Sequence, residues 1–365
     1  MWNGPNEPYQ DLPKLPPAVD LETPQVLKAA INATRPLANL NGSCQLLPDP
    51  AMLIHIIPIL EAQASSEIEN IVTTNDELFR AASGGENANT TPATKEALRY
   101  QGALYKGFNL MQDRPLTSNT AKEVCTYLLG YNVDVRSNDG TYIGNPKTRE
   151  RIYTPPQGKA VIESHLRDWE RFVHDFGDLD PLVALALAHY QFKVIHPFSD
   201  GNGRTGRIMN LLFLKEHSLL ELPVLYLSGY IVRHKDAYYR LLRGVTERGE
   251  WTAWIIFILR AIEQTSLWTL DLIEKTRQLQ NEFERQIAKI SPRLPALELT
   301  RIMFSQPYMR IDNVTEKLKC SRPTASKWLG ELTGIGLLQL EKVGRTNLYV
   351  NEQLLNLLFT ASHTG

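Results

Sequence analysis

Twelve consecutive residues, His196-Pro197-Phe198-Ser199-Asp200-Gly201-Asn202-Gly203-Arg204-Thr205-Gly206-Arg207, bring together one imidazole, one carboxylate, three glycines, one amide and two guanidinium groups. Apolar runs flank them, Leu182 to Tyr190 before and Ile208 to Leu214 after. Gly201, Gly203 and Gly206 allow φ > 0 and a close approach of backbone to ligand. Gly203 falls where the following helix should begin. Free N–H groups there, with the positive end of the helix dipole, make an anion site. Arg204 and Arg207 are three apart and share a helix face, so two forked guanidiniums can meet successive phosphates. Asp200 is a lone carboxylate in this positive field, which suits Mg²⁺ shared with phosphate oxygens. His196 stands just before the loop, where it can accept a proton near neutral pH. The chemistry indicated is a polyphosphate held beside a base.

Other phosphate and metal patterns fit less well. The stretch has no Gly-Lys-Ser/Thr ending, so it is not a P-loop. The element before it is too long and too rich in Ala and Leu for the strand of a dinucleotide fingerprint. His189 and His196 are seven apart with no third ligand pattern, which argues against zinc.

These residues resemble the Fic family motif, His-Pro-Phe-x-Asp-Gly-Asn-Gly-Arg-x-x-Arg, at every fixed position. The resemblance implies a helical core and transfer of AMP from ATP to a protein hydroxyl. It makes His196 the base that deprotonates a target Ser, Thr or Tyr, and Asp200 the Mg²⁺ anchor. Gly201, Asn202 and Gly203 would form the anion hole, and Arg204 and Arg207 would hold the outer phosphates. Thr205 and Gly206 fall within the same nucleotide-binding stretch. The related Doc-type kinases carry Lys where this chain has Gly203, so Gly203 points to nucleotidyl transfer.

A second segment, Ser65-Ser66-Glu67-Ile68-Glu69-Asn70, lies in an apolar-rich run from Met52 to Val72 that reads as helix. Ser65 and Glu69 are four apart and share a face, which by spacing alone is an ordinary polar helix face. The six residues are also similar to the inhibitory motif of Fic proteins, Ser/Thr-x-x-x-Glu-Gly/Asn. That resemblance implies that Glu69 pairs with Arg207 and leaves ATP in an unproductive pose, with Ser65 and Asn70 as companions. It places the chain in the subclass with an N-terminal inhibitory helix. Removal of AMP by the same site is the alternative that the family allows. A second alternative is a nucleotide-sensing regulator that works through its C-terminal domain.

The elements that must position these groups read mainly as helix. The expected fold is a Fic-type helical core with a small β-hairpin flap, plus a C-terminal winged-helix domain. Residues 1–112 hold an N-terminal arm and helices, 113–265 the catalytic core, 266–290 a linking helix, and 291–365 the winged-helix-like domain. Met1 to Pro24, with six prolines, reads as an extended arm packed on the surface. Ala82 to Thr91 reads as a loop, and Thr94 to Met111 and Thr117 to Leu129 as helices. From Tyr131 to Gly158, the alternation at Val133 and Val135, the turn at Asp139-Gly140 and the run Ile152-Tyr153-Thr154 predict a hairpin. In the family a flap at this place holds the target by strand pairing; a plain surface hairpin fits the pattern equally. Tyr238 and Tyr239 are core aromatics by spacing and adenine contacts by resemblance.

The break Ser291-Pro292-Arg293-Leu294-Pro295 opens the tail. Ala296–Phe304, Val314–Leu318 and a third segment begun by Ser321 read as helices, and Leu337–Val343 with Thr346–Val350 as a hairpin. Helix-turn-helix plus hairpin resembles a winged helix. Arg322, Lys327, Lys342 and Arg345 would face nucleic acid, but Glu316, Glu331 and Glu341 dilute that charge and favour protein docking or a homodimer.

The 365 residues carry 39 Lys and Arg against 40 Asp and Glu, so no global charge steers the chain to nucleic acid or anionic membrane. Three scattered cysteines, Cys44, Cys125 and Cys320, suit a reducing, cytoplasmic setting. No signal peptide is read at the N-terminus. The most apolar window, Ala51 to Leu60, is too short to span a bilayer, so no membrane is expected.

Overall fold

The computed structural model describes residues 2–46, 51–84, 90–144, 148, 150–343 and 346–364. An extended arm, residues 2–23, leads in and buries Leu12 and Leu21 against the helices. Then come α1 (Pro24–Leu46), α2 (Ala51–Ile68), α3 (Asn75–Gly84), α4 (Pro92–Leu110) and α5 (Ser118–Leu129). A short antiparallel ribbon, β1 (Ile143–Gly144) with β2 (Arg151–Tyr153), precedes the central helices. These are α6 (Lys159–His174), α7 (Pro181–Ile195), α8 (Asn202–Glu216), α9 (Leu227–Arg233), α10 (Lys235–Arg248) and α11 (Trp251–Ile290). The tail adds α12 (Ala296–Ser305), β3 (Tyr308–Met309), α13 (Ile311–Leu318), α14 (Arg322–Gly334), β4 (Gln339–Val343), β5 (Thr346–Val350) and α15 (Glu352–Thr364). The fold is mainly helical with small antiparallel sheets, as the sequence predicted.

The core is built on α7. Every residue from Leu182 to Ile195 is buried, which a helix apolar on all faces requires. Asp180 caps its start by accepting from the N–H groups of Leu182 and Val183, and Pro181 fills the first position. Trp254 of α11 lies against it, fully buried, with its indole N–H donating to the Ala186 carbonyl at 2.8 Å. Truncating such a side chain typically costs ~3–5 kcal/mol. Helix α8 follows α7 through the polar loop and is buried from Asn202 to Leu214.

Several expectations need correction. No strand forms at Val133 or Val135; the ribbon is confined to Ile143–Gly144 and Arg151–Tyr153. Val133 is instead buried in the helical core, so its alternation with polar neighbours reflects packing without pairing. The expected loop from Ala82 begins later, because α3 continues to Gly84; residues 85–89 lie outside the described residues. α11 is one helix of 40 residues and runs unbroken through the expected boundary at 265/266, since buried Thr265, Ser266 and Thr269 turn their hydroxyls or small side chains into the core.

The tail contains the predicted helices and hairpin, with Ser321 capping α14. It also has β3, which pairs with β5, and the terminal helix α15, neither of which the sequence pattern revealed. Arg345 falls outside the described residues. The tail is joined to α3: Arg80 pairs with Glu341 at 2.5 Å and lies over the Tyr308 ring, while the Tyr308 hydroxyl meets Asp76. Among the described residues, no helix is long and apolar enough to cross a membrane.

Candidate active site

The polar loop is fixed from both ends. His196 closes α7 in the left-handed region, φ 49°, a conformation that a non-glycine residue holds only when its surroundings impose it. Arg136 imposes it here. Its Nε donates to the His196 carbonyl at 2.7 Å, its Nη2 to those of Pro156 and Ile195, and its N–H to Pro197 at 2.9 Å. Gly201 caps α8 with φ 75°, and its N–H donates to Asp200 Oδ1 at 2.6 Å. The first intrahelical bond runs from Thr205 N–H to the Gly201 carbonyl, so the N–H groups of Asn202, Gly203 and Arg204 have no acceptor within the helix. Free N–H groups of this kind can accept an anion, the role expected of this loop from its glycine spacing.

Asn202 acts differently from expectation. Its side chain is buried and grips one peptide group at both ends: Oδ1 accepts from Phe198 N–H at 2.8 Å and Nδ2 donates to the Phe198 carbonyl at 2.7 Å. Only its backbone remains for a ligand. Thr205 and Gly206 also turn away from solvent. Thr205 is fully buried, and a Cβ at Gly206 would sit 3.1 Å from Phe192 Cδ1, so both support the helix from inside.

Both motif arginines carry carboxylate partners from the N-terminal helices. Arg207 is fully buried; its Nε donates to Ser65 Oγ at 2.8 Å, and its Nη2 to the Ser65 carbonyl at 2.8 Å and to Glu69 Oε1 at 3.0 Å. Nη1 is buried without a hydrogen-bond partner among the described residues. Arg204 pairs with Glu96 of α4, and its Nη2 lies 3.6 Å from Asp200 Oδ1. Asn70 follows Glu69 with φ 63° and accepts from Lys235 Nζ at 2.9 Å. A residue there must tolerate the left-handed region, which explains a Gly or Asn after the glutamate. A Cβ at position 203 would overlap Glu69 Oε1, so the glutamate reaches into the anion site only because residue 203 is glycine.

Charges in the site bias one another. Burial by itself would raise the Glu69 carboxyl, but Arg207, Lys193 and Arg204 outweigh it and hold the pKa at about 2. Burial pushes His196 down to about 3, with Lys193 and Arg136 adding to that and Glu69 opposing it. The imidazole is therefore neutral across the physiological range, the form that takes a proton. Its Nδ1 is buried with no hydrogen-bond partner among the described residues. Glu61 of α2 is pushed up to about 7 by burial, against hydrogen bonds from Ser228 and Tyr100 and the charge of Arg207.

Tyr238 does not face a ligand. It is fully buried, and its hydroxyl meets His189 Nε2 at 2.8 Å in an aromatic cluster with Trp254. Tyr239 is partly exposed, and the Lys193 ammonium lies 5.9 Å from its ring centre. Sequence reasoning missed Arg136, Glu96, Glu61 and Lys193. Lys193 left a signal, as a lone cation inside the apolar run of α7. Arg136 left none, because its stretch read as a strand.

Among the described residues, no group of three or more His, Cys, Asp or Glu side chains could hold a metal. The Asp200 side chain is 68 % exposed, and among the described residues only its Oδ1 carboxylate oxygen is engaged. A single open carboxylate beside a phosphate site fits a Mg²⁺ ion that arrives with phosphate oxygens completing its shell.

Three family models match successive parts of the chain: Fic/DOC family N-terminal over residues 27–109, Fic/DOC family over 115–214, and Protein adenylyltransferase SoFic-like, C-terminal domain over 279–354. A protein adenylyltransferase Fic of Drosophila willistoni is 28 % identical over 211 residues, covering 53 % of this chain and 39 % of that protein. Protein adenylyltransferase fic-1 of Caenorhabditis elegans is 39 % identical over 66 residues, 17 % of this chain and 13 % of that protein. The chain thus spans well under half the length of these curated relatives. In fold it is similar to a Fic family protein from Desulfovibrio desulfuricans G20, with a TM-score of 0.60 at 19 % identity over 93 % of this chain and 98 % of that one.

Proposed function

This chain belongs to the Fic/DOC family, and on that premise we propose that it transfers AMP from ATP to Ser, Thr or Tyr hydroxyls of target proteins, itself included, with Glu69 holding the reaction off. The observation that carries the reading is a neutral imidazole fixed beside an open helix N-terminus whose second arginine, Arg207, is engaged by Glu69. His196 takes the proton of the attacking hydroxyl as its oxygen bonds the α-phosphorus. The bond from that phosphorus to the bridging oxygen breaks, and pyrophosphate leaves. The N–H groups of the first turn of α8 offset charge on the phosphates. Arg204 and Arg207 hold the leaving group once their carboxylate partners yield. A Mg²⁺ ion held by Asp200 would neutralise phosphate charge.

Glu69 opposes this chemistry in two ways. It occupies an Arg207 nitrogen, and it adds negative charge over Gly203, where phosphate should lie. Intact-mass analysis with ATP and Mg²⁺, wild type against Glu69→Gly, tests the proposal. A gain of one AMP per modified site supports it; a gain of one phosphate, or none in either protein, refutes it.

The tail is better suited to docking protein than nucleic acid. Arg322, a candidate phosphate contact, pairs with Asp312 at 2.5 Å, and Glu341 occupies the hairpin face toward α3. The free cysteines Cys44, Cys125 and Cys320 accord with work in a reducing cytoplasm.

A further inference from the structure

We propose that Lys193 is a phosphate-binding residue of this site, a third cation that grips the nucleotide's phosphate chain at the N-terminus of α8. The inference rests on the reading that ATP binds there, and adds a residue outside the motif.

Lys193 sits on the last turn of α7, three residues before His196. It is only 6 % exposed, yet among the described residues no hydrogen bond or close ion pair engages its ammonium; the opposite charge beside it is Glu69, the group that must leave for phosphate to enter. The ammonium points at the anion site: Nζ lies 3.1 Å from the point where a Cβ on Gly203 would be, the point that Glu69 Oε1 also crowds. The Tyr239 ring, 5.9 Å away, flanks the ammonium on another side. Arg204 is held by Glu96 and Arg207 by Ser65 and Glu69, whereas among the described residues Lys193 has no hydrogen-bonded partner of that kind. It is therefore the site's side-chain cation that must shed no hydrogen-bonded carboxylate to meet a phosphate, and it stays beside the α8 N–H groups after Glu69 leaves. Lys is suited to this, since one compact ammonium can meet several phosphate oxygens without a fixed fork geometry.

The test is nucleotide affinity of the full chain, measured by calorimetric titration with ATP and by ligand-observed NMR with adenosine. Lys193→Gln, Lys193→Met and Lys193→Arg are each compared with Glu69 intact and with Glu69→Gly. Loss of one charge-assisted phosphate contact should weaken ATP about tenfold or more for Gln and Met in both backgrounds. Arg should retain most of the affinity, and adenosine should bind all the proteins alike. Unchanged ATP affinity in the Gln and Met variants would overturn the proposal, and so would equal losses for ATP and adenosine. A loss confined to proteins that keep Glu69 would also overturn it, because the lysine would then serve Glu69 alone. If the parent binds ATP but transfers no AMP, the functional reading fails while the affinities still decide on Lys193. If neither parent binds ATP, both fail.

Discussion

Arg207 and Glu69 meet as a bonded pair, guanidinium Nη2 to carboxylate Oε1 at 3.0 Å, although 138 residues separate them. The contact is one-pronged. The other nitrogen edge of Arg207 is spent on Ser65, in the last turn of α2, which ends at Ile68 just before Glu69. The last turn of α2 and the turn just after it therefore grip the arginine at two points, and only the outer grip, Glu69, needs to open for Arg207 to meet a phosphate.

Glu69→Gly should raise AMP incorporation roughly ten- to hundredfold, the factor that corresponds to a charge-assisted contact of ~1.5–3 kcal/mol. Mass spectrometry of the wild type and variant incubated side by side reads it directly. Equal incorporation would mean that this pair does not restrain the site.

His196→Ala should abolish transfer and leave ATP affinity within about twofold, because the imidazole acts on the hydroxyl and touches no phosphate. With its pKa held at about 3, the base stays deprotonated as pH falls through the range where an ordinary histidine would charge. The rate of the Glu69→Gly protein should thus show no acid limb near pH 6.5. A limb there would mean that His196 titrates as an exposed imidazole.

Glu61 gives a stability signature of the opposite sign to a salt-bridged acid. Its folded pKa, about 7, lies above the ordinary 4.5, so the protonated form is favoured by folding. The contribution is fully present below pH 4.5 and is lost as pH rises through about 7, a total of roughly 3 kcal/mol. Glu61→Gln should remove that slope while keeping contacts to Ser228 and Tyr100. Urea unfolding at pH 5 and pH 8 is the check, and an unchanged difference between the two would contradict it.

Glu69 behaves in the reverse way. With a folded pKa of about 2 against an ordinary 4.5, its stabilisation is present above pH 4.5 and disappears as pH falls through about 2. The stability gap between wild type and Glu69→Gln should therefore narrow on acidification across that window. A gap that stays constant would show the carboxylate to be unpaired in solution.

Arg136→Met should destabilise the protein by about 2–4 kcal/mol, since three backbone carbonyls lose a buried donor. It should also cost more in transfer rate than in ATP affinity, because His196 loses what fixes its left-handed backbone. Thermal unfolding together with ATP titration separates the two effects. A variant as stable and active as wild type would remove Arg136 from this part.

The sequence by itself determined the local matters. Spacing put Ser65 and Glu69 one turn apart, although α2 ends at Ile68 and leaves Glu69 in the turn beyond it rather than on the helix expected to reach Val72; it also set the glycine-capped start of α8 after an apolar α7, and marked the tail's helices and hairpin. These follow from periodicity, capping and turn chemistry, which act over a few residues. Which distant groups meet was decided by the tertiary structure. Arg136 read as part of a strand, yet it clamps the backbone of His196 from sixty residues away. Asn202 read as a phosphate donor, yet its amide is spent on Phe198. Glu96 lies on a helix where nothing local distinguishes a surface charge from a buried one, and Lys193, though a lone cation in an apolar run, does not announce what it faces. Their significance arises only when α4 and α7 pack beside α8. There the low polarity makes an uncompensated charge costly, and so makes each pairing informative.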